Sequence, residues 1–538
     1  MDVIDRAVES GKQISGNMRL DCQTWADFEK EMTRKKVMMF GAGVASGYYF
    51  DRYGEQGILE GVIDNDSRKQ GFRIDEFVPE AFGLKGGEKI ISCGSLLDSY
   101  NPDETVVLIT SINDYEIIGT QLSQNGFTNY FVLLIMEANE RNGCERERDI
   151  QRDMDSLKTE FVKYCCQHER VDRRKLFFRA YGDYADHGKY ITEALLKTGE
   201  DLDLVWSVHD LAVEVPQGVR KIYEGNWKRF IYEMETAGIW ILDLTVPEYI
   251  IKRPEQLYIQ TKHWASVTLK KFYLDAAFET EPEKIKIWER EKGLIDHIIT
   301  GSAFDTASCR RGFGFEGEVL QYGSPRSDGL FWEEKNREKV YEYFAIEKER
   351  RVLLYAPTYR FNKELGKSAH ESRNIGLEFQ RLKGALERRF GGEWYILVRL
   401  HPSVATAFEK VEKPDFVIDA SRYGDSQELV SASHILISDF SSIMFEAAFV
   451  KKPVFLFATD LEDYLSNEYE LLLPYRELPF PVAESNEELE RNMEEFDMDS
   501  YKEKVELFLK EYGVHEDGHA SERVARFIVE NILCGENL

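Results

Sequence analysis

Nowhere in the 538 residues do apolar side chains run on for about 18 positions, the length a helix needs to cross a bilayer core, so no transmembrane helix is expected. The N-terminal MDVIDRAVESGKQ has no basic stretch followed by an apolar one, which predicts no signal peptide. Cysteine is scarce and odd in number: seven, at Cys22, Cys93, Cys144, Cys165, Cys166, Cys309 and Cys534, with no repeated CxxC spacing. That argues against a disulfide scaffold or a zinc site and for a reducing compartment. Positive charge is short as well, with 69 lysines and arginines against 97 aspartates and glutamates and a formal net charge of −28. Such a balance excludes broad adhesion to nucleic acid or anionic lipid, though it leaves room for a local basic patch such as Arg310 and Arg311. There is no internal repeat and no low-complexity tract. His209, His297, His370, His434, His515 and His519 lack metal-ligand spacing, and neither a metal site nor a cofactor is predicted. The expected setting is the cytoplasm, with at most peripheral attachment at the inner face of a membrane.

What is present is an ordinary globular composition, 43% hydrophobic and 31% charged, in a chain long enough for two or three domains. Residues 1–140 alternate strand-like runs with helices, from KKVMMF through GVIDND and TVVLITS to YFVLLI, which predicts a small doubly wound α/β domain. Residues 141–169 are charged and helix-prone and read as a helical linker. Residues 170–345 repeat the alternation, beginning at LFFRAYGDYADHGKYITEALL and including LYIQTKHW, a predicted strand from Leu257 to Trp264. Residues 346–538 form a further α/β domain that closes on an amphipathic helix.

In the last domain, three apolar strands end in polar clusters: VLLYAPTYR, WYILVRLHP and HILISDFSS. Strands that are apolar throughout belong to a parallel sheet covered on both faces, and ligands bind outside the carboxyl ends of such strands. Thr358, Arg360, Arg399, His401, Asp439, Ser441 and Ser442 are therefore expected to line a crevice suited to a phosphorylated substrate. Guanidinium groups recognise phosphate in bidentate fashion, and hydroxyls with backbone N–H groups at a helix start make an anion site. In the first domain Gly41, Gly43 and Gly47 form GxGxxxG, and Asp64 closes the next strand where a dinucleotide-binding fold keeps its ribose-binding acid. The alternative at that turn is local, with glycines permitting a tight bend and close helix packing.

APTYR, RLHP and SDFSS, with KKPVFLFATDLEDY after them, YGSPRSD before them and EDGHASERV near the C-terminus, resemble the CDP-glycerol glycerophosphotransferases, the teichoic acid primases and polymerases. The resemblance covers roughly residues 170–530. It implies a GT-B-like pair of Rossmann-type domains, residues 170–345 for the acceptor and 346–538 for the CDP donor, behind the small N-terminal α/β domain. It further implies transfer of glycerol phosphate or a related polyol phosphate from a CDP donor to a hydroxyl of a lipid-linked glycan or polymer. SDFSS matches the family's TDYSS, so Asp439, Ser441 and Ser442 fall at the donor phosphates. Glu446 falls on an acidic family position, from which it orients the serines or reaches the donor, and His401 of RLHP helps to bind or activate the phosphates. Family members carry Trp-His after a strand as the base motif. Here the order is His263-Trp264, so an ungapped alignment puts Trp264 at the family base, while His263 is the catalytic candidate and His187 and Asp186 are fallbacks. Gly323, Pro325, Arg326 and Asp328 are expected to shape the junction. Two other readings stay open: a GT-B glycosyltransferase using a nucleotide sugar, and a non-catalytic nucleotide-binding scaffold.

Overall fold

The structure, a computed structural model, describes residues 13–14, 18–19, 23–53, 59–78, 81, 89–111, 114–140, 147–277, 282–358, 361–362, 367–368, 376–400, 408, 413–467 and 470–536. The chain divides into two compact units, Met1–Phe178 with Asp203–Gly238 and Pro247–Gln256, and Arg179–Leu202 with Ile239–Val246 and Leu257–Leu538.

Three main sheets carry the fold. The first has strands β1 (Lys36–Phe40), β2 (Gly61–Ile63), β3 (Ile90–Ile91), β4 (Thr105–Ile109) and β5 (Tyr130–Val132), paired in parallel in the order β3-β2-β1-β4-β5. The second has β6 (Asp172–Arg179), β7 (Asp203–Val208), β8 (Val219–Tyr223), β9 (Ala237–Leu242), β10 (Leu257–Gln260), β11 (His297–Ile299) and β12 (Glu318–Leu320), in the order β8-β7-β6-β9-β10-β11-β12. The third has β13 (Arg351–Tyr355), β14 (Trp394–Val398), β15 (Val417–Asp419), β16 (Ile435–Ser438), β17 (Val454–Phe457) and β18 (Val482–Ala483), in the order β15-β14-β13-β16-β17-β18. In each sheet the winding reverses between the first strand and the fourth, and that switch point is where an open α/β sheet leaves a crevice. The central strands are buried along nearly their whole length, as the apolar runs predict.

In the first unit the long helix α2 (Glu147–His168) follows the first sheet, after α1 (Gly47–Tyr53) near its start. The buried Lys175 ammonium there reaches Glu233 at 2.8 Å and Thr236 at 2.9 Å, and Arg220 forks onto Asp203 while also meeting Glu233.

In the second unit, helix α3 (Asp186–Thr198) stops at Gly199, whose φ of 73° closes the last turn without a Cβ clash. Lys189 of α3 is buried and pairs with Asp425 and Glu428 at the start of helix α4 (Ser426–Ala432); Tyr190 donates to the same Asp425 at 3.0 Å. Charges this deep are tolerated because they are paired and hydrogen-bonded. Helix α5 (Ile443–Phe449) leaves β16, and the final helix α6 (Ala520–Glu536) is capped by the Asp328 carboxylate, which accepts from the N–H groups of Ala520 and Ser521 at 2.9 and 2.7 Å. No helix among the described residues is long and apolar enough to cross a membrane.

Candidate functional site

At the switch point of the third sheet, Thr358 follows β13 and Asp439 follows β16. Asp439 is buried, and its Oδ1 accepts from the N–H groups of Thr358 at 2.7 Å and Phe440 at 2.6 Å. The carboxylate thus ties the two strand ends together. Arg399 follows β14, half-buried, with Nη1 donating to the Tyr423 carbonyl at 2.5 Å; burial lowers its pKa, with Asp425 opposing. Ser441 and Ser442 are half-buried just before α5, a helix of barely two turns. The Ser442 hydroxyl accepts from the Leu269 N–H at 3.3 Å and lies 3.3 Å from the Thr268 hydroxyl. Glu446 is buried within α5, with Oε2 accepting from Gln427 at 2.7 Å and Oε1 facing Arg326 at 3.1 Å. Both of these contacts are with residues other than Ser441 and Ser442. Arg360 and His401 lie outside the described residues.

The predicted strand to Trp264 ends at Gln260 instead. Lys262 has a φ of 56°, a conformation that non-glycine residues hold only when their surroundings fix it. Here those surroundings are a fully buried ion pair with Asp305 at 3.1 Å and hydrogen bonds from the ammonium to the Trp264 and Ala265 carbonyls. Because the chain turns at Lys262, strand alternation no longer assigns the faces of the two residues after it. Trp264 goes inward, packs against Phe272 and Phe313 and donates from its indole to Asp305 at 3.2 Å. His263 goes outward and is open to solvent. Protein around the ring withdraws part of its water and pulls its pKa down to about 4; Asp186 opposes this, and the Arg326 and Lys262 cations add to it. The imidazole is neutral at pH 7 and able to take a proton.

Beneath this loop, His187 is fully buried and donates from Nε2 to the Trp264 carbonyl at 3.0 Å, and burial pulls its pKa down to about 3. That ring supports the loop from inside. Asp186 has a φ of 57° and meets Arg326 Nη1 at 2.6 Å; burial would raise its pKa, but Arg326 and His187 outweigh it and hold the carboxyl below its usual range. The same Arg326 Nη1 donates to the His263 carbonyl at 2.8 Å, while Nη2 faces Glu446. Arg326 is the first turn's cation of the 3-10 segment Pro325–Phe331, entered through Gly323 at a φ of 87°. Its role exceeds the junction-shaping expected of it, and no spacing rule would have disclosed two acids from distant segments converging on it. Asp243, just past β9, is a second residue that sequence reasoning missed. It accepts from the Tyr181 N–H through both oxygens, at 3.0 and 3.1 Å, and burial, reinforced by Asp186, pushes its pKa up to about 8.

In the first sheet, Gly41 has a φ of 114°, and a Cβ there would lie 2.6 Å from Thr110 Oγ1, so glycine is required; Gly43 has open space beside it and Gly47 starts α1. Asp64 follows β2 as predicted, and its oxygens accept from the N–H groups of Ala42 and Asp66, both at 2.8 Å, and from Lys69 at 3.2 Å. Lys69 also donates to the Ala42 carbonyl at 2.9 Å, which closes the turn on itself. Among the described residues no group of three or more histidines, cysteines or acids is placed to hold a metal ion.

Residues 161–530 match the family described as CDP-Glycerol:Poly(glycerophosphate) glycerophosphotransferase. The chain is 27% identical over 380 residues to the teichoic acid poly(glycerol phosphate) polymerase of Staphylococcus epidermidis, covering 68% of this chain and 52% of that protein. It is 26% identical over 373 residues to the teichoic acid glycerol-phosphate transferase of Staphylococcus aureus, covering 66% and 93%. It therefore spans about half the length of the polymerase and nearly all of the transferase. The solved structure of the wall teichoic acid polymerase TagF aligns with a TM-score of 0.63 at 24% identity, over 73% of this chain and 97% of that one, and the fold is of that GT-B-like kind.

Proposed function

The chain belongs to the CDP-glycerol:poly(glycerophosphate) glycerophosphotransferase family, and on that premise we propose that it moves a polyol phosphate, glycerol phosphate by default, from a CDP-activated donor to a hydroxyl of a teichoic-acid-like or lipid-linked acceptor. In this reading residues 346–538 bind the donor. The acceptor oxygen attacks the β-phosphorus, its proton passes to the His263 imidazole, and the bond between that phosphorus and the bridging oxygen breaks to release CMP. Thr358, Arg399, Ser441 and Ser442, with Arg360 and His401, hold the phosphates, since fixed donors around the transferring group supply most of the catalysis in such displacements. The acceptor being lipid-linked, the chain works at the cytoplasmic face of a membrane, attached peripherally.

The observation that carries this reading is the turn at Lys262, which exposes a neutral His263 and buries Trp264. A scaffold reading would be favoured by the reverse arrangement. The test is CMP release from CDP-glycerol and CDP-ribitol, with and without lipid-linked acceptor, beside UDP release from a UDP-sugar. Acceptor-dependent CMP release is expected. Turnover of the nucleotide sugar alone would transfer the site to a glycosyltransferase, and no turnover of any donor would leave the scaffold.

A further inference from the structure

The His263 loop is tied to helix α5 at two separate points. At one, the Arg326 guanidinium bonds the His263 carbonyl at 2.8 Å and the Asp186 carboxylate at 2.6 Å with Nη1, and faces Glu446 of α5 at 3.1 Å with Nη2. At the other, Ser442, the residue that enters α5, accepts from the Leu269 N–H and meets the Thr268 hydroxyl. Thr268 and Leu269 continue the same stretch of chain that begins at His263. Onward from there, Lys271 donates its N–H to the Glu470 carbonyl at 3.0 Å, and the Leu472 N–H donates to the Leu269 carbonyl at 2.7 Å, so the stretch is laced into the third-sheet domain along its length.

We propose that Arg326 is a positioning residue that, with Glu446 and the Thr268–Ser442 contact, locks the proton-accepting His263 to the helix start that receives the donor phosphates, so that base and donor keep one fixed geometry. The proposal rests on the reading of His263 as the base. The guanidinium reaches its acceptors from two nitrogens held apart in one plane, Nη1 toward His263 and Asp186 and Nη2 toward Glu446, which a lysine ammonium, with all its donors on one nitrogen, does not reproduce. Arg326, Asp186 and Glu446 are each largely or wholly buried, so no partner can be withdrawn without stranding another charge. The charged groups facing His263 are Asp186 and Arg326 from beneath and Lys262 from its own loop.

Two variants separate positioning from mere stability. Arg326→Lys keeps the charge and loses the reach of two nitrogens held in one plane; Thr268→Val is nearly isosteric and weakens the second tie, removing its hydroxyl contact while leaving the Leu269 N–H bond to Ser442, without touching any charge. Each is compared with the wild type in kcat, in KM for the CDP donor and in amide hydrogen exchange over residues 262–269 and α5. For Arg326→Lys a fall in kcat of about 100-fold with KM for the donor little changed is expected, because misplacing a reacting group by about 1 Å costs that much. Thr268→Val should show a smaller fall of the same kind, and exchange should quicken in both segments together. A folded Arg326→Lys protein with wild-type kcat and exchange would overturn the proposal. So would a loss of kcat that disappears on cooling in step with recovered stability. If the wild type turns over no CDP donor, the functional reading fails by itself, and exchange then decides the tie: quickened in both segments, it stands; quickened in one alone or in neither, it falls.

Discussion

At the switch point of the first sheet, Gly41, Ser46, Asp64, Lys69 and Thr110 bond to one another: Ser46 and Thr110 both donate to the Gly41 carbonyl, and Asp64 is taken up by Ala42, Asp66 and Lys69. In the other unit, the loop after β10 also uses a buried acid and a lysine to hold a difficult turn, Asp305 and Lys262, but it does so beside a histidine left open to solvent. Both turns follow strands of parallel sheets, and both are held by an aspartate with a lysine. The difference is what remains after the turn is satisfied. In the first the polar groups close on their neighbours in the turn; in the second they turn an imidazole outward, and the proposed chemistry rests on that remainder.

The largest expected break in this comparison comes from Lys262→Met, which strands the fully buried Asp305. A loss of about 3–5 kcal/mol is expected in urea unfolding, by analogy with other broken buried pairs. A stability within experimental error of wild type would mean that the pair does not hold the turn.

Next in size is the acid limb of stability. Burial holds the imidazoles of His187 and His434 down at about 3 and about 4, below the ordinary 6.5. As pH falls below about 6.5 the unfolded chain takes up protons that the folded chain refuses. Their contribution is therefore full above that pH and is lost progressively as pH falls toward 3, at about 1.4 kcal/mol per pH unit per group. In His187→Asn, ΔG of unfolding between pH 6 and 4 should fall less steeply than in wild type by about one proton's worth, and an unchanged slope would contradict the burial argument.

Smaller effects test the first turn. Gly41→Ala forces a Cβ against Thr110 at positive φ and should cost about 1–3 kcal/mol, while Gly43→Ala, with open space beside it, should stay within about 0.5 kcal/mol in the same unfolding assay. Equal costs at the two glycines would show that the turn is not built as described.

The strands were legible in the sequence because buried parallel strands are apolar at every position, as in VLLYAP and HILIS, and that signal needs no tertiary knowledge. The Asp64 position after β2 and the Ser441–Ser442 entry to α5 were legible for the same reason, being pinned to strand ends. The His263–Trp264 order was misleading because a strand through Trp264 was expected, and the positive φ at Lys262 depends on Asp305, which is distant in the chain. Arg326 escaped notice as anything beyond a turn residue because its partners, Asp186 and Glu446, come from two other helices that only the fold brings together.

The most direct test of the account is acceptor-dependent CMP release by wild type and His263→Ala at pH 7, with circular dichroism as the check of folding. A loss of about 100- to 10,000-fold in kcat, the usual worth of a general base, is predicted for a folded variant. Wild-type kcat in His263→Ala would contradict the assignment of the proton-accepting role to this residue.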